Sequence, residues 1–234
     1  MGTGSSSQSG MVFSIPVVSL PIVGSALRFP VRRVYCVGRN YLEHIRELGN
    51  DEREPPFFFA KHRDCIVQNG SEVAYPSLTS SYQHEIEMVV AMKSGSENMK
   101  KEDALNHVYG YGVGLDMTRR DLQTISRKKE QPWEIGKSFE QAAPCSAITP
   151  ADTIGPPSKG KIQLSVNGKL RQDGDLAQMI WNVPEIIAAL SLQVGLNAGD
   201  VIFTGTPAGV AACAKGDKLV GSVEGLGDLT VTIV

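Results

Sequence analysis

From Val17 to Val234 the chain is punctuated: short runs rich in Val, Ile and other apolar residues are separated by Gly- and Pro-bearing segments, and few stretches carry apolar residues at helical spacing. That pattern confines the chain to a strand-dominated α+β fold. Strands are expected over residues 34–37, 57–60, 85–92, 109–117, 163–166, 201–204 and 229–234. Val166-Asn167-Gly168-Lys169 reads as a hairpin turn, because Asn-Gly accepts the left-handed backbone such a turn requires. Helices are expected over 41–48, 101–104, 119–129 and 183–192, and Thr118 followed by Asp121 approximates a capping box that starts a helix shortly after Asp116. No internal repeat or linker divides the chain. At 234 residues and 41% hydrophobic it can bury a sizeable core, and residues 11–234 are expected to form a single domain.

Residues 1–10, MGTGSSSQSG, have no large apolar side chain after Met1 and are expected to be a flexible tail. Gly2 and Ser6 fit the permissive myristoylation pattern, but no polybasic patch stands beside them to complete a membrane anchor. The uncharged stretch 11–27 is not a signal core, since Pro16 and Pro21 interrupt it and the first basic residue, Arg28, follows it. It reads as strand and turn. A net charge of −2 and a pI near 6.1 are too balanced for the electrostatic affinity of a nucleic-acid binder, so the expected partner is a small molecule. Cys36, Cys65, Cys145 and Cys213 are too scattered for a zinc motif or a dense disulfide framework, which favours a reducing compartment. No run is long enough to be a membrane-spanning helix.

Chemistry concentrates in the carboxylates. Read as a strand, residues 84–91 put Glu85, Glu87, Val89 and Ala91 on one face and His84, Ile86, Met88 and Val90 on the other. Both faces end apolar, so both glutamates are expected to point inward, where two carboxylates repel each other unless a cation lies between them. A strand entering from solvent, with both glutamates exposed at its start, is the plainer alternative. Asp116 ends the apolar, glycine-rich stretch 110–116 just before the helix signal, and it would be either a third inward carboxylate or a helix-capping acid. Three carboxylates without a thiolate suit a hard cation, Mg²⁺ or Mn²⁺, with Ca²⁺ also acceptable. His84 faces away from the glutamates in this register and is expected to serve packing.

His44 and Glu47, three residues apart, share a helix face, the spacing of a water-activating imidazole held by a carboxylate or of an incidental surface pair. Glu43 points elsewhere and is expected to be solvated. Lys137 lies inside the apolar and aromatic stretch 133–139. If buried it needs an anion, such as a substrate carboxylate or enolate; otherwise it snorkels to the surface. The turn Thr204-Gly205-Thr206-Pro207 after an apolar strand offers backbone N–H groups and hydroxyls that suit a carboxylate. No Walker loop, dinucleotide fingerprint or GxSxG nucleophile motif occurs.

Taken in order, Gly38-Arg39-Asn40-Tyr41, the His44 and Glu47 pair, His84-Glu85-Ile86-Glu87, Leu115-Asp116-Met117-Thr118, Gly136-Lys137-Ser138-Phe139 and Thr204-Gly205-Thr206-Pro207 resemble the fumarylacetoacetate hydrolase family from about residue 29 to 234. Residues 171–181 look most like its fumarylpyruvate hydrolase and acylpyruvase branch. The resemblance implies a mixed β-roll around a divalent metal, a homodimer, and cleavage of a carbon–carbon bond in a 1,3-dicarbonyl acid such as fumarylpyruvate, in the cytoplasm or, in a eukaryote, the mitochondrion. It further implies that Glu85, Glu87 and Asp116 hold the metal, that His44 and Glu47 activate water on a mobile lid, that Lys137 steadies an oxyanion or enolate, and that Arg120, Gln123 and Thr206 contact substrate. An oxaloacetate decarboxylase or tautomerase using the same site, and a catalytically silent metal-binding homologue, are the competing expectations. Where the family commonly has Lys-Pro after the aromatic strand, this chain has Lys61-His62.

Overall fold

The computed structural model describes residues 12–41 and 54–234. His44, Glu47, Glu43, the tail 1–10 and all but the first residue of the helix expected at 41–48 lie outside the described residues. A mixed eight-stranded sheet forms the centre, ordered Phe57–Lys61, Arg33–Gly38, Asp200–Phe203, Ile86–Met92, Val108–Leu115, Ala143–Cys145, Ile66–Gln68, with Thr149–Pro150 joining on Val108–Leu115. Arg33–Gly38 pairs in parallel with Asp200–Phe203, which brings residues far apart in sequence side by side at the same sheet end. A second sheet, Lys169–Asp175, Lys161–Val166, Lys218–Val223, Gly227–Ile233 and Glu72–Val73, lies over the first. The contact is close: a Cβ on Gly221 would stand 2.5 Å from the Ile86 side chain. Every residue of Ile86–Met92 is buried, the apolar ones as a strand covered on both faces requires and Glu87 as its one charged exception.

The expected strands all form, with ends moved by a residue or two. Asn167 and Gly168 take φ of 52° and 75° in the Lys161–Val166 to Lys169–Asp175 hairpin. The stretch 11–27 contributes Ser19–Ile22 and the start of Ser25–Pro30, an antiparallel pair. Helices form at Lys101–Ala104, Arg120–Lys128 and Val183–Ser191. The capping box does not. Arg119 occupies the cap position without a side-chain bond, the Thr118 hydroxyl donates to the Asp116 carbonyl, and Asp121 is taken by Thr79 and Ser80. The Thr118 hydroxyl is used locally and by Lys137, and Asp121 accepts from the 79–80 loop and the Leu122 amide, so neither side chain is left to close the box. All four cysteines are buried free thiols. Among the described residues no helix is long and apolar enough to cross a membrane.

Candidate active site

Cross-strand register assembles the acidic cluster. Ile86–Met92 runs antiparallel to Val108–Leu115 with Ile86 opposite Leu115 and Glu87 opposite Gly114, and just beyond the ladder the Asp116 amide donates to the Glu85 carbonyl at 2.9 Å. Glu85, Glu87 and Asp116 are all buried, and each offers an oxygen within 4.8 Å of the other two. The exposed alternatives for the glutamates and the helix-cap alternative for Asp116 both fall. His84 is buried with Nδ1 2.9 Å from Gln172 Oε1, where it packs and does not join the cluster. Burial depresses its pKa.

Three cations answer the three carboxylates. Lys137 is buried and donates to Glu85 Oε2 and Asp116 Oδ2, both at 2.8 Å, and to the Thr118 hydroxyl at 2.7 Å. Its anions are thus the chain's own carboxylates, and all three of its N–H bonds are engaged. Lys61, also buried, stands 2.8 Å from Asp116 Oδ1, and Arg120 bonds Glu85 Oε1 and the Gln83 and Gln123 side-chain oxygens. Burial opposes ionisation of Glu85, but the Lys137 and Arg120 charges outweigh it and hold the carboxyl well below its ordinary range. Glu87 has no such partner. Burial, then the Asp116 and Glu85 charges, push its carboxyl well above the usual value, against the Gly205 amide that donates to its Oε2 at 2.7 Å. Burial likewise opposes the charge of Lys137, while Asp116 and Glu85 hold its pKa above that of a free lysine.

The glycine turn does hold a carboxylate, that of Glu87. Gly205 sits at φ 95°, and a Cβ there would lie 2.6 Å from the Asn40 Cβ, so geometry and space both demand glycine. Asn40, fully buried, donates to the Thr204 and Trp181 carbonyls and accepts from the Trp181 amide, tying the end of the Arg33–Gly38 strand to this turn. Gln172, from the second sheet, donates to the Thr206 hydroxyl at 2.8 Å and the Pro207 carbonyl at 2.9 Å, and its Oε1 accepts from the Ile86 amide. Gln172 falls in the branch-like stretch 171–181, but as one polar residue among several in a strand nothing local marked it as a site residue. Lys61 follows the Phe57-Phe58-Phe59-Ala60 strand but opens the charged stretch Lys61-His62-Arg63-Asp64, so its burial was not legible.

Over the cluster opens a cavity of about 320 Å³, within the range of small-molecule sites. Glu85, Glu87, Asp116, Lys137, Arg120, Gln123 and Thr206 all line it, so every described residue expected at the site meets there. Arg39 and Phe57 also line it. A clustered, buried, all-oxygen donor set with one carboxylate lacking a counter-cation fits a hard divalent ion.

Residues 33–234 match the family described as Fumarylacetoacetate (FAA) hydrolase C-terminal. The chain is 43% identical over 180 residues to a fumarylpyruvate hydrolase of Ralstonia sp, covering 77% of this chain and 93% of that protein. It is 37% identical over 202 residues to the human mitochondrial oxaloacetate tautomerase FAHD1, covering 86% and 91%. In three dimensions it matches the crystal structure of fumarylpyruvate hydrolase from Pseudomonas aeruginosa in complex with Mn²⁺ and pyruvate, with a TM-score of 0.93, 50% identity, and coverage of 96% and 99%. Fold, ordered motifs and length agree, and the chain belongs to the fumarylacetoacetate hydrolase family.

Proposed function

We propose that this protein is a divalent-metal-dependent hydrolase that cleaves the carbon–carbon bond of an acylpyruvate, fumarylpyruvate yielding fumarate and pyruvate. The observation that carries the reading is the buried Glu85, Glu87 and Asp116 cluster with Lys137 at the base of a small-molecule cavity, in a chain half identical to a fumarylpyruvate hydrolase that binds Mn²⁺ and pyruvate. Mg²⁺ or Mn²⁺ held by the three carboxylates would polarise the keto oxygens of the pyruvoyl end and favour loss of its carbanion equivalent.

The chain's own residues carry the remaining steps. We assign His44 as the base that takes a proton from water attacking the distal carbonyl, with Glu47 fixing the imidazole; the spacing of the pair and the family resemblance support this. Attack breaks the bond between the acyl carbon and the pyruvoyl methylene, and the electron pair leaves with the pyruvoyl fragment as its enolate, which takes up a proton to give pyruvate. Lys137 holds Glu85 and Asp116, and with a metal sharing those carboxylates one of its N–H groups would serve the developing enolate oxygen. Arg120, Gln123 and Thr206 orient the substrate.

Residues 11–234 act as one catalytic domain, and the family match over 33–234 supports this. The active form is a homodimer: Val12, Phe13, Ile15, Val17 and Leu27 expose apolar side chains that a partner would cover. A cytoplasmic location agrees with the free thiols. A second reading, oxaloacetate tautomerase, is favoured by the human relative. An assay of Mn²⁺-loaded protein with fumarylpyruvate, acetylpyruvate and oxaloacetate, repeated with chelator, decides between them. Metal-dependent release of pyruvate from an acylpyruvate is expected; oxaloacetate tautomerisation without any such release would overturn the hydrolase reading.

A further inference from the structure

The cavity has two unlike ends. Arg120, Gln123, Thr124 and Arg127 line it from the Arg120–Lys128 helix at i, i+3, i+4 and i+7, so one face of that helix is a wall of the site. Arg120 marks the inner end, bonded to Glu85. Arg127 lies two turns further out, roughly 10 Å along the axis at the helical rise per residue, and is exposed. Among the described residues no carboxylate pairs with Arg127. Phe57, Phe59 and Trp133 line the same cavity as a connected aromatic set, with Trp133 5.3 Å from Phe57 and 5.9 Å from Phe59 between ring centroids.

We propose that Arg127 is a specificity-determining residue that holds the carboxylate at the far end of the acyl group, so that the site selects acylpyruvates whose acyl chain is planar and ends in a carboxylate. The inference rests on the acylpyruvate reading and deepens it. The end carboxyls of extended fumarylpyruvate stand roughly 7–8 Å apart, from bonds of about 1.5 Å. With one end at the acidic cluster, the other falls along the outer half of the helix wall. Oxaloacetate is about half that length, and acetylpyruvate ends in a methyl group. The conjugated fumaryl segment is flat, and aromatic side chains offer it faces on which to lie.

Charge points the same way. Lys61, Lys137 and Arg120 pair with Glu85 and Asp116 while Glu87 supplies a third carboxylate, so a divalent cation would leave these six groups with two positive charges in excess; Arg39 and Arg127 also line the cavity, Arg127 at its outer end. A substrate with a carboxylate at each end meets both concentrations of positive charge. Arginine suits the outer position because its planar fork grips a carboxylate through two parallel hydrogen bonds.

The test compares Arg127→Gln and Arg127→Lys with the parent, all loaded with Mn²⁺. For Arg127→Gln, the ratio of kcat/KM on fumarylpyruvate to that on acetylpyruvate is expected to fall by about 10- to 100-fold, chiefly through KM, with partial recovery in Arg127→Lys. Calorimetry supplies a readout independent of turnover: Arg127→Gln is expected to weaken fumarate binding at least about tenfold, with pyruvate binding kept within about twofold. A specificity ratio and a fumarate affinity both within about twofold of the parent would overturn the proposal. Loss of fumarate affinity in a protein that hydrolyses no acylpyruvate would uphold the carboxylate site and overturn the hydrolase reading instead.

Discussion

At the scale of single residues, the site is a problem in charge placement. Three carboxylates in one buried cluster repel, and the fold answers with Lys137, Lys61 and Arg120 on Glu85 and Asp116 while leaving Glu87 only the Gly205 amide. That division separates the expected effects of two substitutions. Glu87→Ala removes a donor that no lysine neutralises, so titration with Mn²⁺ is expected to show metal affinity weakened by tenfold or more, and both acylpyruvate hydrolysis and any oxaloacetate reaction are lost. His44→Ala is expected to lower hydrolytic kcat by about 100-fold or more, the usual size of a lost general base, while leaving metal affinity unchanged. Hydrolysis within about threefold of the parent would return His44 to an ordinary helix residue.

At the scale of elements, the Arg120–Lys128 helix and the Glu134–Lys137 turn of helix carry opposite halves of the site and touch at Gly136. A Cβ there would stand 2.8 Å from both the Gln123 Cβ and its backbone nitrogen, so the two elements approach as closely as backbones allow. Gly136→Ala is expected to force them apart, lowering stability by about 1–3 kcal/mol as overpacking does. Because Lys137 and Gln123 move with their elements, kcat/KM is expected to drop by more than the loss of folded protein explains; circular dichroism melting beside kinetics checks both. Asp121 fastens the same helix. Partial burial opposes its charge, but N–H and O–H donors from Thr79, Ser80 and Leu122 prevail and hold its carboxyl below the ordinary value. A depressed folded pKa contributes stability above the unfolded pKa that is lost as pH falls through the folded one. Asp121→Asn is therefore expected to cost about 1 kcal/mol at neutral pH, a figure kept small by partial exposure, and to converge on the parent in urea melts as pH falls below the ordinary aspartate range.

At the scale of the whole molecule, two sheets packed face to face bury one core, and the site opens at the ends of the central strands. The Gln172 side chain, reaching from the second sheet to Thr206, Pro207 and Ile86, makes the cavity a joint product of both layers. The apolar side chains of residues 12–17 and Leu27 stay in water in a single chain. Sedimentation at micromolar concentration is accordingly expected to give about twice the 25.2 kDa chain mass, and a Phe13→Asp, Leu27→Asp double variant is expected to shift it toward the monomer. A parent that sediments only at 25.2 kDa would refute the dimer.

The amino-acid sequence by itself determined the class of fold and the chemistry. Periodicity, Gly and Pro punctuation and the Asn-Gly turn are local properties of the chain, so the strands and the helices at 101–104, 120–128 and 183–191 were legible before any contact was known. The two glutamates were legible as a candidate inward pair for the same reason, while a strand entering from solvent stayed open until the fold buried them. Only the tertiary structure decided what each charge meets. Local spacing assigned Thr118 and Asp121 to a helix cap and left the partner of Lys137 open, whereas the fold gave Thr118 and Lys137 to each other, Lys137 also to Glu85 and Asp116, and Asp121 to the 79–80 loop. Those partners lie tens of residues apart along the chain. Hydrogen bonds and ion pairs act through distances of about 3 Å, so pairings of this kind are set by strand register and sheet packing and leave no trace in local sequence.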